Sequence, residues 1–149
     1  MIRIATAADI PRIVELGSES LIDGPYKGLV KNNPKQTTKL AETVIQSESG
    51  RVMLYEDDQG KVVGLLAFLI APQIFTGEPT ATELMWFVEP ASRHDGAGIK
   101  LLWAAEEMAR ALGAKYMGVT SPTEAVSALY SRFGYHKLEI SYLKILRPH

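Results

Sequence analysis

Along the chain the spacing of apolar residues changes at nearly every Gly or Pro, and each change marks an element boundary. Ile2 to Ala5 alternates over a short run, as a strand does. Thr6-Ala-Ala-Asp9 has capping-box spacing ahead of Ile10, Ile13, Val14 and Leu16, a helical series; Pro11 fits only its first turn, which makes Asp9 the competing N-cap. Asp23 to Lys35 holds two Gly, two Pro and two Asn with little period, an irregular connection long enough to suspect function. A second helix follows over about Gln36 to Glu48 and ends before Gly50.

The period then drops to that of strands. Arg51 to Glu56 and Lys61 to Ala71 flank the turn Asp57-Asp58-Gln59-Gly60, which predicts an antiparallel hairpin. The second strand is almost continuously apolar, as a central strand covered on both faces would be. Ala81 to Val88 is another strand, stopped by Pro90. Gly98 to Leu112 is a helix with Leu101, Leu102, Ala105, Met108, Ala109 and Leu112 on one face, capped by Gly113. Lys115 to Val119 reads as a short strand, Glu124 to Arg132 as a helix closed by Gly134, and Tyr135 to Leu146 as a final strand. The predicted order is β-α-α-β-β-β-α-β-α-β.

Composition narrows the classes without naming chemistry. The 149 residues carry 16 Lys plus Arg against 17 Asp plus Glu, a net charge of −1, and no repeat or linker divides them. One domain over 1–149 is the expectation. With no cysteine there is neither a disulfide framework nor a thiolate nucleophile, and a reducing, cytoplasmic setting fits. Val62 to Ala71 is half of the ~20 apolar residues that span a bilayer, and nothing at the N-terminus resembles a signal peptide, so no membrane partner is expected. The balanced charge weighs against a dedicated nucleic-acid binder. His94, His136 and His149 are scattered, with no metal-ligand spacing.

Val88-Glu-Pro-Ala-Ser-Arg-His-Asp-Gly-Ala-Gly-Ile-Lys carries the strongest chemical signal. A strand meets a helix there through a turn holding Gly96 and Gly98, with Arg93 and Lys100 nearby. Unpaired N–H groups and the helix dipole favour an anion at such a junction. It lacks the Gly-Lys-Ser/Thr of a Walker loop, and Leu101 stands where a dinucleotide fingerprint needs its third Gly. A tight turn with no ligand is the plain alternative.

Arg93-x-x-Gly96-x-Gly98 after Val88-x-Pro90 resembles the acyl-CoA loop of the GNAT family of N-acetyltransferases. Ala128-Leu-Tyr-Ser-Arg-Phe-Gly-Tyr135 resembles the family's late helix and Gly-aromatic strand start, and the element order is similar across nearly the whole chain. The resemblance implies an α+β (α/β three-layer) fold: a mixed, mostly antiparallel sheet splayed between its fourth and fifth strands and flanked by about four helices. It implies acetyl-CoA as cosubstrate, no metal, and a primary amine as acceptor. Backbone amides of Phe87 and Val88 would pair with the pantetheine arm, and those of His94, Asp95, Gly96, Ala97, Gly98 and Ile99 would hold the pyrophosphate, with Arg93 facing either solvent or a phosphate. Family relatives have an Asn before the late helix where this chain has Thr120-Ser121-Pro122, so a hydroxyl of Thr120 or Ser121 is the stand-in.

Acyl transfer to an amine needs a base for an ammonium of pKa ~10.4 and a donor for a thiolate of parent pKa near 8.5. The resemblance assigns Glu83 as base and Tyr130 as general acid or hydrogen-bond donor to sulfur. Strand alternation places Glu83 with Met85 and Phe87, whose apolar surface would raise its carboxyl; Glu89 is the weaker alternative. Tyr130 also has an ordinary packing role open to it beside Leu129 and Phe133. Tyr26, Lys27 and Lys31 are candidate acceptor-wall residues. Two other classes stay open, a non-catalytic acyl-CoA-binding module and a related transferase acting on nucleic acid, and the apolar last strand suggests a homodimer.

Overall fold

The computed structural model describes all residues 1–149. Five strands form one sheet in chain order, β1 (Ile2–Ile4), β2 (Gly50–Glu56), β3 (Val62–Pro72), β4 (Pro79–Val88) and β5 (Tyr116–Gly118). The first four pair antiparallel; β5 joins β4 parallel, through a helical crossover. Helices α1 (Ile10–Asp23) and α2 (Pro34–Gln46) cover one face, and α3 (Ala97–Ala111) and α4 (Glu124–Arg132) the other.

Local chemistry explains most boundaries. Thr6 and Asp9 form the capping box, but around a 3-10 turn over Ala7–Asp9. The Asp9 carboxylate is occupied by Thr6 N and Arg3, leaving α1 to start at Ile10 without a side-chain cap. Asn33 caps α2. At the hairpin, Asp57 Oδ1 accepts from Gln59 N and Lys61 N, both at 2.9 Å, while Gly60 takes φ +79°. Helix α3 ends with Ala114 N on Ala109 O and Gly113 N on Arg110 O, a pair that needs the left-handed Gly113.

Each face of the sheet has its own core. Ile13, Leu16, Val44, Leu54 and Leu65 pack under α1 and α2; Leu66, Phe68, Leu101, Leu102 and Tyr130 pack under α3 and α4. Leu66 and Phe68 are fully buried, each worth roughly 1.5–3 kcal/mol relative to exposure. Strand β3 feeds both cores, which explains its unbroken apolar run.

Two expectations are corrected. The final strand over Tyr135 to Leu146 does not form: residues 136–149 are exposed and carry no regular structure. The stretch has no Gly, Pro or Asn to fold it back, and β5 offers only a three-residue edge. Its far end returns to the α1–α2 connection, where His149 Nε2 lies 3.0 Å from Leu29 O. The second correction concerns β4. Cα pairing runs Ala67 to Met85 and then Phe68 to Glu83, so Leu84 is an inserted bulge residue. Ala81 before it and Trp86 and Val88 after it all join the core under α3 and α4, whereas Met85 and Phe87 pack under α1 and α2. Odd positions thus change face at Leu84, and Glu83 lies opposite Met85 and Phe87.

Candidate active site

Strands β4 and β5 pair only over Thr80–Thr82 and Tyr116–Gly118. Beyond Thr82 the β5-facing edge of β4 has no partner strand, and the side chains that can do chemistry gather around this opening. Thr120, two residues past β5, donates from Oγ1 to Glu83 Oε1 at 3.2 Å and accepts Tyr130 Oη at 2.9 Å on its carbonyl. The backbone N of Thr120 lies 3.5 Å from the same Glu83 oxygen. One residue therefore links the two side chains proposed for catalysis.

Electrostatics separates their roles. Burial pushes the Glu83 carboxyl above its ordinary 4.5, and the hydrogen bonds from Thr120 only partly oppose it. Burial also raises the Tyr130 phenol, reinforced by Glu83 and Tyr135. The Tyr130 ring lies 5.7 Å from Trp86 and 5.3 Å from Tyr135, centroid to centroid. Glu89 faces elsewhere, bonded to Arg12 at 3.1 Å and Lys61 at 3.3 Å. Burial works to raise its carboxyl, but those cations and a hydrogen bond from Glu19 outweigh it and hold it low. Ion pairing on the opposite face removes Glu89 as a base for this opening.

The glycine turn follows from β4. Pro90–Asp95 is a 3-10 helix, Gly96 takes φ +80°, and α3 begins at Ala97. A Cβ on Gly98 would sit 3.3 Å from Trp86 Cζ2, a tight contact to which the indole packed against it would have to yield by a few tenths of an ångström. Gly98 and Ile99 stand in the first turn of α3, where N–H groups have no partner within the helix itself. Asp95 Oδ1 accepts from Ala97 N at 3.1 Å, so the Ala97 amide expected for the pyrophosphate is already occupied. His94 is exposed in this turn. Arg93 donates from Nε to Val88 O at 2.8 Å and lies over the Phe87 ring at 5.5 Å, which ties it to the end of β4.

Register also separates the two β4 amides expected to meet pantetheine. Glu89 N bonds Val63 O, and Phe87 stands opposite Leu65 two residues earlier, so antiparallel alternation gives the Phe87 amide to β3 and turns that of Val88 to the open edge. The Phe87 amide, expected to be free, is thus spent within the sheet, and of the two only the Val88 amide faces the open edge. Ser121 is also displaced from its expected role: its Oγ donates to Thr123 O at 2.6 Å and accepts from Ser127 Oγ at 2.9 Å, inside the cap of α4. Of the two hydroxyls, that of Thr120 is the one bonded to Glu83.

Sequence reasoning missed Trp86. Its Nε1–H is buried without a partner while its ring touches Tyr130 and the Gly98 backbone. An apolar face on an even position was the only available signal, and the bulge concealed which face that was. No group of three or more His, Asp or Glu side chains converges as a metal site, and no helix is long and apolar enough to cross a membrane.

Comparison with known proteins agrees with this fold. Residues 20–135 match the family model described as Acetyltransferase (GNAT) family. None of the curated proteins matches the chain. Among solved structures, an acetyltransferase from Trypanosoma brucei superposes with a TM-score of 0.74 at 18% identity, covering 98% of this chain and 99% of that one. A ribosomal-protein-alanine N-acetyltransferase from Brucella melitensis gives 0.70 at 18% identity over 98% and 99%. AAC(6')-Iy, solved with a bisubstrate analogue joining CoA to acetylneamine, gives 0.76 at 18% identity over 99% and 98%. At such identities these structures establish the shared fold.

Proposed function

The chain belongs to the GNAT acetyltransferase family, and from that premise we propose that it moves an acetyl group from acetyl-CoA to a primary amine by direct attack. The observation that carries this reading is the convergence of Glu83 and Tyr130 on Thr120 at the opening between β4 and β5. Four donors suit acyl-CoA at that opening: the first-turn N–H groups of Gly98 and Ile99, the edge amide of Val88, and the orphaned Trp86 Nε1–H. A buried donor without an acceptor costs about 1–3 kcal/mol, which a bound carbonyl or phosphate oxygen would relieve. Asp95 must release Ala97 N before that amide can serve.

Glu83 takes a proton from the incoming ammonium, directly or through water, and the freed amine attacks the thioester carbonyl. The C–N bond forms, the C–S bond breaks, and the amide, the CoA thiol and one released proton complete the balance. Full proton transfer from Tyr130 to sulfur runs uphill, because its phenol is held above 10 while a thiol of this kind lies near 8.5. Its favoured role is a hydrogen bond to the departing thiolate, with Oη exchanging the Thr120 carbonyl for sulfur. The chain has no cysteine for a thioester intermediate, which supports direct transfer.

The test is turnover of acetyl-CoA across a panel of amines, amino acids, peptides and nucleic acids, with CoA affinity measured alongside. Amine-dependent thiol release supports the reading. Tight CoA binding without release from any acceptor replaces it with a binding module, and release only with DNA or RNA replaces the acceptor. A homodimer belongs to the same reading: Leu138, Ile140 and Tyr142 alternate along the exposed tail, and the outer edge of β5 has no partner. A cytoplasmic setting completes it, since the chain has no cysteine needing oxidation and no membrane-spanning helix.

A further inference from the structure

Helices α1 and α2 leave a cavity of about 290 Å³ against the sheet, on the face opposite Glu83. Ile13 and Leu21 of α1, Leu40 and Val44 of α2, and Leu84 and Met85 of β4 are among the apolar residues of its wall. No charged side chain lines it. Its three polar non-tyrosine side chains already bond to the protein: Ser20 Oγ donates to Gly17 O at 2.7 Å, Asn32 Nδ2 to Ser18 Oγ at 2.9 Å, and Thr37 Oγ1 to Asn33 O at 3.4 Å. The rim is apolar yet wet, with Tyr26 51%, Leu40 44% and Leu84 39% exposed. Helix α1 carries Gly17 at this wall, where a side chain would occupy the space facing Thr37. Contiguous apolar surface at the mouth of a concave apolar cavity marks a ligand site.

The bulge connects this cavity to the reacting groups. Leu84 lines it, and Glu83, one residue earlier with its Cα about 3.8 Å away, faces the opposite side toward Thr120 and Tyr130. The edge of β4 beside both residues has no partner strand. We propose that the acceptor is a primary amine on an uncharged, largely apolar body about the size of a phenylalkylamine, held by α1, α2 and the β4 bulge with its amine reaching past the open edge to Glu83. This inference rests on the acetyl-transfer reading for its reaction, but on the cavity for its ligand class. An apolar cavity of about 150 Å³ admits one benzene ring, so 290 Å³ takes a ring with its alkyl chain. A polycationic acceptor would find no carboxylate in the wall.

The test compares 2-phenylethylamine, butylamine, ethanolamine and spermidine as acceptors with acetyl-CoA, and measures 2-phenylethylamine binding by calorimetry with CoA present. Burying a phenyl ring predicts a kcat/KM about 10- to 100-fold higher for 2-phenylethylamine than for ethanolamine. Leu40→Lys, at the exposed rim, should cut that preference at least tenfold; Tyr26→Asp on the neighbouring connection gives a second reading should the first variant fail to fold. Equal kcat/KM across the four amines, a preference for spermidine, or a preference unchanged in both variants overturns the proposal while leaving acetyl transfer intact. Saturable binding of 2-phenylethylamine, lost in Leu40→Lys but with no amine ever acetylated, keeps the cavity and removes the reaction. Binding that appears only after residues 136–149 are deleted overturns it, because the tail would then be the natural occupant.

Discussion

Glu83→Gln should inactivate the protein and stabilise it at the same time. Glutamine keeps the oxygen that accepts from Thr120 and removes only the charge and the titratable proton. A positioned general base contributes typically 10²–10⁴-fold, so kcat/KM for the preferred amine should fall by that factor, about 3–5 kcal/mol of barrier at 1.36 kcal/mol per decade. Stability moves the other way. Burial holds the Glu83 carboxyl above its ordinary 4.5, so the fold binds this proton more tightly than the unfolded chain does. The contribution is present in full below about pH 4.5 and is lost as pH rises through the folded-state value, leaving a desolvated carboxylate as a cost at pH 7–8. Glutamine removes that cost. Urea denaturation at pH 4 and pH 8 should show the variant gaining on the parent at pH 8 and losing that advantage at pH 4, while steady-state assays show the collapse in rate. The parent's kcat/KM should decline on the acid side through a value above 4.5. A variant retaining half the parental rate, or destabilised equally at both pH values, would refute the reasoning.

Tyr130→Phe keeps the rings against Trp86 and Tyr135 but loses the hydrogen bond to Thr120 O; the expected loss is about 1 kcal/mol in denaturation and about 10- to 100-fold in kcat, whereas a packing role alone would leave the rate within about twofold. Gly96→Ala meets nothing closer than Lys100 Cε at 4.0 Å, so its cost is the left-handed φ of +80°, about 1–2 kcal/mol by urea denaturation, with weaker CoA binding by calorimetry. Arg3 hydrogen bonds hold Asp9 at about 2 instead of 3.8, a stabilisation of about 2 kcal/mol that falls to about 1 once the partial exposure of Arg3 is allowed for. That contribution is present above pH 3.8 and fades as pH drops toward 2, so the deficit of Asp9→Asn seen at pH 7 should vanish in acid denaturation. Deleting residues 136–149 should convert a dimer into a monomer by light scattering, and an unchanged mass would remove the tail from the interface.

The sequence was most legible where local chemistry acts alone. Periodicity located all four helices and five of the six expected strands to within a few residues, because caps such as Asn33 and the left-handed Gly113 are set by their immediate neighbours. The tail failed for the opposite reason. Leu138, Ile140 and Tyr142 have a strand's alternation, but a strand exists only when an edge receives it, and no local pattern encodes the length of a distant edge. The amide of Phe87 was misassigned on the same grounds, since pairing register with Leu65 decides which amides stay free.

The bulge at Leu84 is the point on which sequence and site diverge most. Strict alternation would put Glu83 with Met85 and Phe87, under α1 and α2 and away from Tyr130. One inserted residue reverses this, sending Glu83 to the face of Thr120 and leaving both Leu84 and Met85 to line the apolar cavity on the other. Bulges bend and twist the strand that carries them, and this one comes two residues after the last β4–β5 pair, Thr82 with Gly118. A single irregularity thus accompanies the end of strand pairing, aims a desolvated carboxylate into the opening, and lays apolar surface behind it. The position of the carboxylate and the wall of the apolar cavity follow from the same backbone step, so a change that removed the bulge would disturb the Glu83–Thr120 contact and the cavity together.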